Sequence, residues 1–121
     1  MEPSLSIDKL LEILEAEIVL DDGWLRNTIF SVIASDLMSD ILSHGKRKSL
    51  LLTGLTNPQT VRTAEMVEVQ AICFIRGKAP HTETIELAKK IQMPLLLTGI
   101  SMFDACGKLY ATGLRDRDNA S

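Results

Sequence analysis

The residues best placed to meet a ligand fall in three short loops, Thr53-Gly54-Leu55-Thr56-Asn57, Arg76-Gly77-Lys78-Ala79-Pro80-His81-Thr82 and Thr98-Gly99-Ile100-Ser101. Each loop follows an apolar run and precedes a helical pattern. Together they bring glycines, hydroxyls, two cations and unpaired helix N–H groups to one place, a set that can hold a phosphate through donors and a favourable dipole. The residues that carry this reading are Thr53, Gly54, Arg76, Gly77, Lys78, Thr98, Gly99 and Ser101. Thr56, Asn57, Thr82 and Ser101 have a second use, because the same side chains cap helices with no ligand present.

Catalytic chemistry finds less support. The chain contains no Gly-x-x-x-x-Gly-Lys-[Ser/Thr], no Gly-x-Gly-x-x-Gly and no Gly-x-Ser-x-Gly. His44 and His81 are the two histidines, each in a loop and without an identifiable third group to orient it as a general base. Asp36 and Asp40 share a helix face four residues apart, but two carboxylates are too few for a calcium or magnesium site. Glu12, Glu15, Glu83 and Glu86 sit on polar helix faces. Cys73 and Cys106 form no Cys-x-x-Cys and read as small apolar residues of a reducing compartment. No catalytic residue, metal ligand or cofactor is assigned.

The elements that position the loops announce themselves by repetition. Leu50-Leu51-Leu52-Thr53-Gly54 and Leu95-Leu96-Leu97-Thr98-Gly99 are one phrase written twice, with Ala71-Ile72-Cys73-Phe74-Ile75 between them. Short, nearly all-apolar runs closed by glycine are the pattern of strands buried on both faces of a parallel sheet. The helices Gln59 to Glu68 (capped by Asn57, with Pro58 first), Glu83 to Ile91 (opened by Thr82) and Ser101 to about Ala111 fill the intervals. Upstream, Ser6 caps an amphipathic helix carrying Ile7, Leu10, Leu11 and Leu14 on one face. A short edge strand Glu17–Leu20, a turn at Asp21-Asp22-Gly23, a second strand Asn27–Ala34 and a short helix Leu37–Leu42 capped by Ser35 or Asp36 follow.

The expected fold is therefore α/β: one small three-layer domain spanning 1–121, with a mainly parallel sheet and helices on both faces. Its core runs from about 7 to 114, and 115–121 reads as a frayed tail. Alternating strands and helices imply parallel crossovers, so the three loops emerge on one edge, where open α/β sheets bind ligands. With 121 residues, 45% apolar and 24% charged, the chain has the makings of an ordinary globule. A net charge of −3 argues against a nucleic-acid or anionic-membrane surface. Lys46-Arg47-Lys48 reads as a solvated basic loop. No apolar run is long enough to span a bilayer and the N-terminus lacks signal-peptide features, so a cytoplasmic location is expected.

Taken in order and spacing, Ser35 to Leu42, the Leu-Leu-Leu-Thr strand, Ala71 to Pro80, Met93 to Thr98 and Met102 to Tyr110 resemble a DRTGG domain over roughly Ile7 to Leu114. The Asp-Arg-Thr-Gly-Gly run that names the family is absent: the corresponding region, Arg26 to Ala34, has no glycine. The resemblance implies a non-catalytic regulatory or interaction module that pairs as a homodimer. Similar domains accompany CBS pairs in nucleotide-regulated pyrophosphatases and precede the catalytic part of some phosphotransacetylases, and the N-terminal domain of HPr kinases looks similar. Free-standing versions lie beside iron-only hydrogenase genes in anaerobic bacteria, which makes a hydrogenase-related or other metabolic enzyme a partner to consider. Met38, Ile41 and Leu42 are the candidate dimer patch, or else they simply cover the sheet. The alternative is a sensor binding an adenine nucleotide or phosphate at the strand-end loops. A third reading, a phosphoryl- or acyl-transfer enzyme, lacks a nucleophile–base pair.

Overall fold

The computed structural model describes residues 4–21 and 28–116. The chain runs β1 (Leu5–Ser6), α1 (Ile7–Leu14), β2 (Ala16–Leu20), β3 (Thr28–Ile29), β4 (Ser31–Ala34), α2 (Met38–His44), β5 (Ser49–Thr53), α3 (Pro58–Val67), β6 (Ala71–Phe74), α4 (Thr82–Ile91), β7 (Leu95–Thr98) and α5 (Met102–Tyr110). Five strands form the main sheet in the order β2-β7-β6-β5-β4, and β1 pairs with β3 in a separate antiparallel ribbon. Strands β4 to β7 are parallel, while β2 closes the sheet antiparallel to β7, with Ala16 opposite Thr98. This is the expected small α/β domain.

The repeated phrase occupies the heart of the sheet. Leu50, Leu51 and Leu52 of β5 are all fully buried, and they alternate between two cores. Leu50 and Leu52 face the layer made by α1 and α5, with Leu10, Leu14, Ala105 and Leu109. Leu51 faces the layer made by α2, α3 and α4, with Ile41, Val61, Ala64 and Ala88. Burying a leucine side chain stabilises by about 1.5–3 kcal/mol, so this one strand supports both layers. The three crossover helices lie on the same face because the parallel strands step one way across the sheet, and crossovers share one hand.

Several boundaries differ from the sequence expectation, each for a local reason. Asn27 lies outside the described residues, as do Asp22 and Gly23 of the expected turn. The rest of the expected strand from 27 to 34 divides at Phe30: β3 pairs with β1, whereas β4 joins the main sheet beside β5. Neither Ser35 nor Asp36 caps α2. Its N-cap is Leu37, with no side-chain cap bond, and Asp36 is engaged elsewhere. Likewise α4 starts after His81, with Thr82 inside the helix rather than capping it. The caps at Ser6, Asn57 and Ser101 form as expected, accepting from Lys9 N, Thr60 N and Asp104 N.

Of the expected tail, Arg115 is held. Its carbonyl accepts from Val32 N at 2.9 Å, along the outer edge of β4, and its guanidinium lies 3.5 Å from the centroid of the Tyr110 ring. Residues 117–121 lie outside the described residues. Helices α1, α3 and α4 end on non-glycine residues in the left-handed region, Glu15, Glu68 and Gln92 at φ of 51°, 59° and 60°. In each the cap N–H turns back to carbonyls of the last turn.

Candidate functional site

The carboxyl ends of β5, β6 and β7 stand side by side, so the three loops do meet at one edge. Ile75 N donates to Thr53 O at 3.2 Å, Arg76 N to Ile100 O at 2.9 Å and Gly77 N to Thr98 O at 2.9 Å. These bonds lock the β6–α4 loop between its two neighbours. Arg76 and Gly77 are both left-handed, at φ of 55° and 68°. Glycine accepts that conformation freely, whereas arginine adopts it at a cost of about 1–2 kcal/mol, so the bonds to the neighbouring loop must hold Arg76 in place. Lys78 N closes the turn on Ile75 O at 3.1 Å.

The two threonines of the repeated phrase do the same local work. Thr53 Oγ1 accepts from Leu55 N at 3.1 Å and Thr98 Oγ1 from Ile100 N at 3.3 Å, so each hydroxyl turns the chain out of its strand. Both side chains are buried. Each hydroxyl also donates, Thr98 to Leu14 O at 2.5 Å and Thr53 to Asp36 Oδ1 at 3.1 Å. Their hydrogen bonds are thus spent inside the fold, and Ser101 Oγ accepts from Asp104 N in the cap of α5.

Asp36 is the residue that sequence reasoning placed wrongly. Its Oδ1 accepts from Gly54 N at 2.6 Å as well as from Thr53. The amide that an external anion would use at the β5 loop is therefore already holding an internal carboxylate. The contact spans 18 residues, and no local spacing rule could find it. What remains open is the β6–β7 end of the edge. Arg76, Gly77, Lys78 and Gly99 are exposed, and nothing lies within 4 Å of where a Cβ on Gly77 or Gly99 would stand. Among the described residues neither Arg76 nor Lys78 takes part in an ion pair.

His81 braces two loops, whereas His44 contacts its own helix. His81 Nε2 lies 3.3 Å from Thr56 Oγ1 while its N–H donates to Thr56 O, and Thr84 Oγ1 donates to the same carbonyl at 2.7 Å. His44 Nδ1 lies 3.3 Å from Asp40 O. Among the described residues no group of three His, Cys, Asp or Glu side chains is placed to hold a metal ion. Burial pushes the Cys73 thiol up to about 12 and raises that of Cys106 above its ordinary value, which makes neither a ready nucleophile. Clefts of about 240 and 410 Å³ flank the outer edge of β4, meeting at Ala34 and Asp116, away from the loops.

The α2 residues expected at a dimer interface are not equivalent. Ile41 is fully buried in the single chain, Met38 is half-buried with its Sδ accepting from Thr63 Oγ1 at 3.2 Å, and Leu42 is exposed. Leu37 is exposed beside them, so the outward apolar residues of this element are Leu37 and Leu42. Ile41 belongs to the core because it sits over Leu51. Among the described residues no helix is long and apolar enough to cross a membrane.

No protein-family profile matches the chain, and no curated protein matches it. Among solved structures it is similar to the CBS and DRTGG domains of the regulatory region of Clostridium perfringens pyrophosphatase, a structure complexed with the activator diadenosine tetraphosphate. The TM-score is 0.70 at 21% sequence identity, over 88% of this chain and 46% of that one. The chain thus spans about half the length of that structure. The fold is consistent with a DRTGG-like domain.

Proposed function

We propose that the protein is a non-catalytic regulatory module that acts in the cytoplasm as a homodimer and changes the behaviour of a partner enzyme. The observation that carries this reading is a fold shared with a regulatory region over 88% of the chain. The site residues are compatible with it: Thr53 and Thr98 turn the chain out of their strands, His81 braces the β5 loop and Ser101 caps α5. A hydrogenase-related or other metabolic enzyme is the partner class to test. Light scattering on the purified chain reads the first element of the proposal. A monomer at millimolar concentration would refute the homodimer.

A second reading is favoured by the exposed cations. Arg76 and Lys78 project from a braced turn beside the open Gly99, which suits the phosphates of an adenine nucleotide. The pyrophosphatase region binds diadenosine tetraphosphate, so that compound heads the panel. A ligand at about 100 times its dissociation constant adds roughly 2.7 kcal/mol to the folded state, and thermal unfolding reads that as a shift of several degrees. Replacing Arg76 and Lys78 by alanine should abolish the shift without lowering the basal midpoint. An unchanged shift in that variant removes the site, and no shift with any nucleotide removes the reading.

A further inference from the structure

We infer that a second copy of this chain docks on the solvent face of α5, in an antiparallel crossing about a two-fold axis. The inference rests on the homodimer reading above and names its surface. Helical periodicity puts Phe103, Gly107 and Tyr110 on one face, opposite Ala105 and Leu109, which fill the core. Phe103 is 85% exposed and Tyr110 61%, the first being the most exposed large apolar side chain of the described residues. One face of the Tyr110 ring is stacked by Arg115, which holds the ring in place.

Between the aromatics sits a glycine that the single chain does not require. Glycine inside a helix is less stable than alanine, and at Gly107 a Cβ would meet nothing within 4 Å. Its absence instead lets another backbone approach closely at that point.

The occupant is a copy of the same helix because one register satisfies two kinds of contact at once. In an antiparallel crossing centred between Cys106 and Gly107, Phe103 stands opposite Tyr110 of the second copy. On the neighbouring flank, Asp104 falls beside Lys108 of the second copy. Two-fold symmetry repeats both pairs, as a self-complementary contact demands. Among the described residues neither Asp104 nor Lys108 is ion-paired within the chain, and both are exposed. The arrangement therefore has aromatic anchors at its centre and complementary charge at its rim.

Sedimentation equilibrium at low ionic strength on the full chain tests this. The wild type is expected to be dimeric, and Phe103→Glu and Asp104→Lys should each raise the dissociation constant about tenfold or more. The double exchange Asp104→Lys with Lys108→Asp should restore the dimer. Because these side chains are exposed, the variants should keep a cooperative thermal transition, which reports that they fold. A dimer unaffected by Phe103→Glu, or a double exchange that fails to rescue, would overturn this surface while leaving the homodimer in place. A monomeric wild type would overturn both.

Discussion

Replacing Asp36 by alanine probes the contact that local sequence rules could not anticipate. The substitution removes an acceptor used by Gly54 N at 2.6 Å and by Thr53 Oγ1 at 3.1 Å. The Gly54 amide is partly exposed and water can take over from the carboxylate, so little of that bond is lost. Thr53 is fully buried, and its hydroxyl is left without an acceptor. A stranded buried polar group costs about 1–3 kcal/mol, and the charged character of the lost partner places the total near 2 kcal/mol. For a domain of this size that corresponds to a fall in midpoint of roughly 8 °C. Asp36→Asn keeps an oxygen in place without the charge and should lose about half as much. Thr53→Val deletes the donor, so the double variant should be less destabilised than the sum of the singles, the signature of a direct contact. Thermal unfolding of the five proteins reads every term. If Asp36→Ala lies within about 0.5 kcal/mol of wild type, as an ordinary surface change would, or if the two substitutions add, the carboxylate does not hold the β5 loop.

Three further outcomes are expected. Leu51→Ala opens a cavity beneath α2, α3 and α4, and should cost about 2–5 kcal/mol in urea unfolding, the spread reflecting how far the layer can close. Gln92→Gly should stabilise by about 0.5–1 kcal/mol in the same assay, because residue 92 is left-handed at φ 60° and exposed at the end of α4. The Cys73 thiol, raised to about 12 from 9.0 in the fold, stays protonated where the unfolded chain has lost its proton. Stability should therefore be unaffected by this group below pH 9 and fall as pH rises from 9 towards 12, at up to about 1.4 kcal/mol per pH unit. Cys73→Ala should show a shallower decline over that window, and equal slopes in the two proteins would contradict the assignment.

The parts of the fold that could be read from the sequence are those in which the signal is local. Leu50-Leu51-Leu52-Thr53 and Leu95-Leu96-Leu97-Thr98 became β5 and β7, and their threonines make the same turn at both strand ends. The caps at Ser6, Asn57 and Ser101 and the crossover order followed from residue types a few positions apart. The failures involve partners distant in sequence. A β-branched run from 27 to 34 says nothing about which strand lies opposite, so the division at Phe30 between two sheets was invisible. Asp36 reads as a helix cap until Gly54, 18 residues on, claims it. At the candidate site the residue types could be read from the sequence, but which donors stay available depends on backbone bonds between the β6 and β7 loops. Exposed Phe103 and Tyr110 likewise carry no mark in the sequence that distinguishes them from core aromatics.

The antiparallel edge strand favours an order of assembly. Strands β4 to β7 and their crossovers bring together segments that follow one another closely along the chain, whereas β2 must find β7 across some eighty positions, from Ala16 to Thr98. Closing so long a loop costs entropy before any contact rewards it. The parallel block can accordingly form first, leaving the side of β7 that faces away from β6 as an unpaired template for β2. Until α1 and β2 arrive, that template is open to any extended peptide, its own or another's. In that order β2 is the last strand of the sheet and covers its exposed edge. Amide exchange should find it the first part to open in the native state.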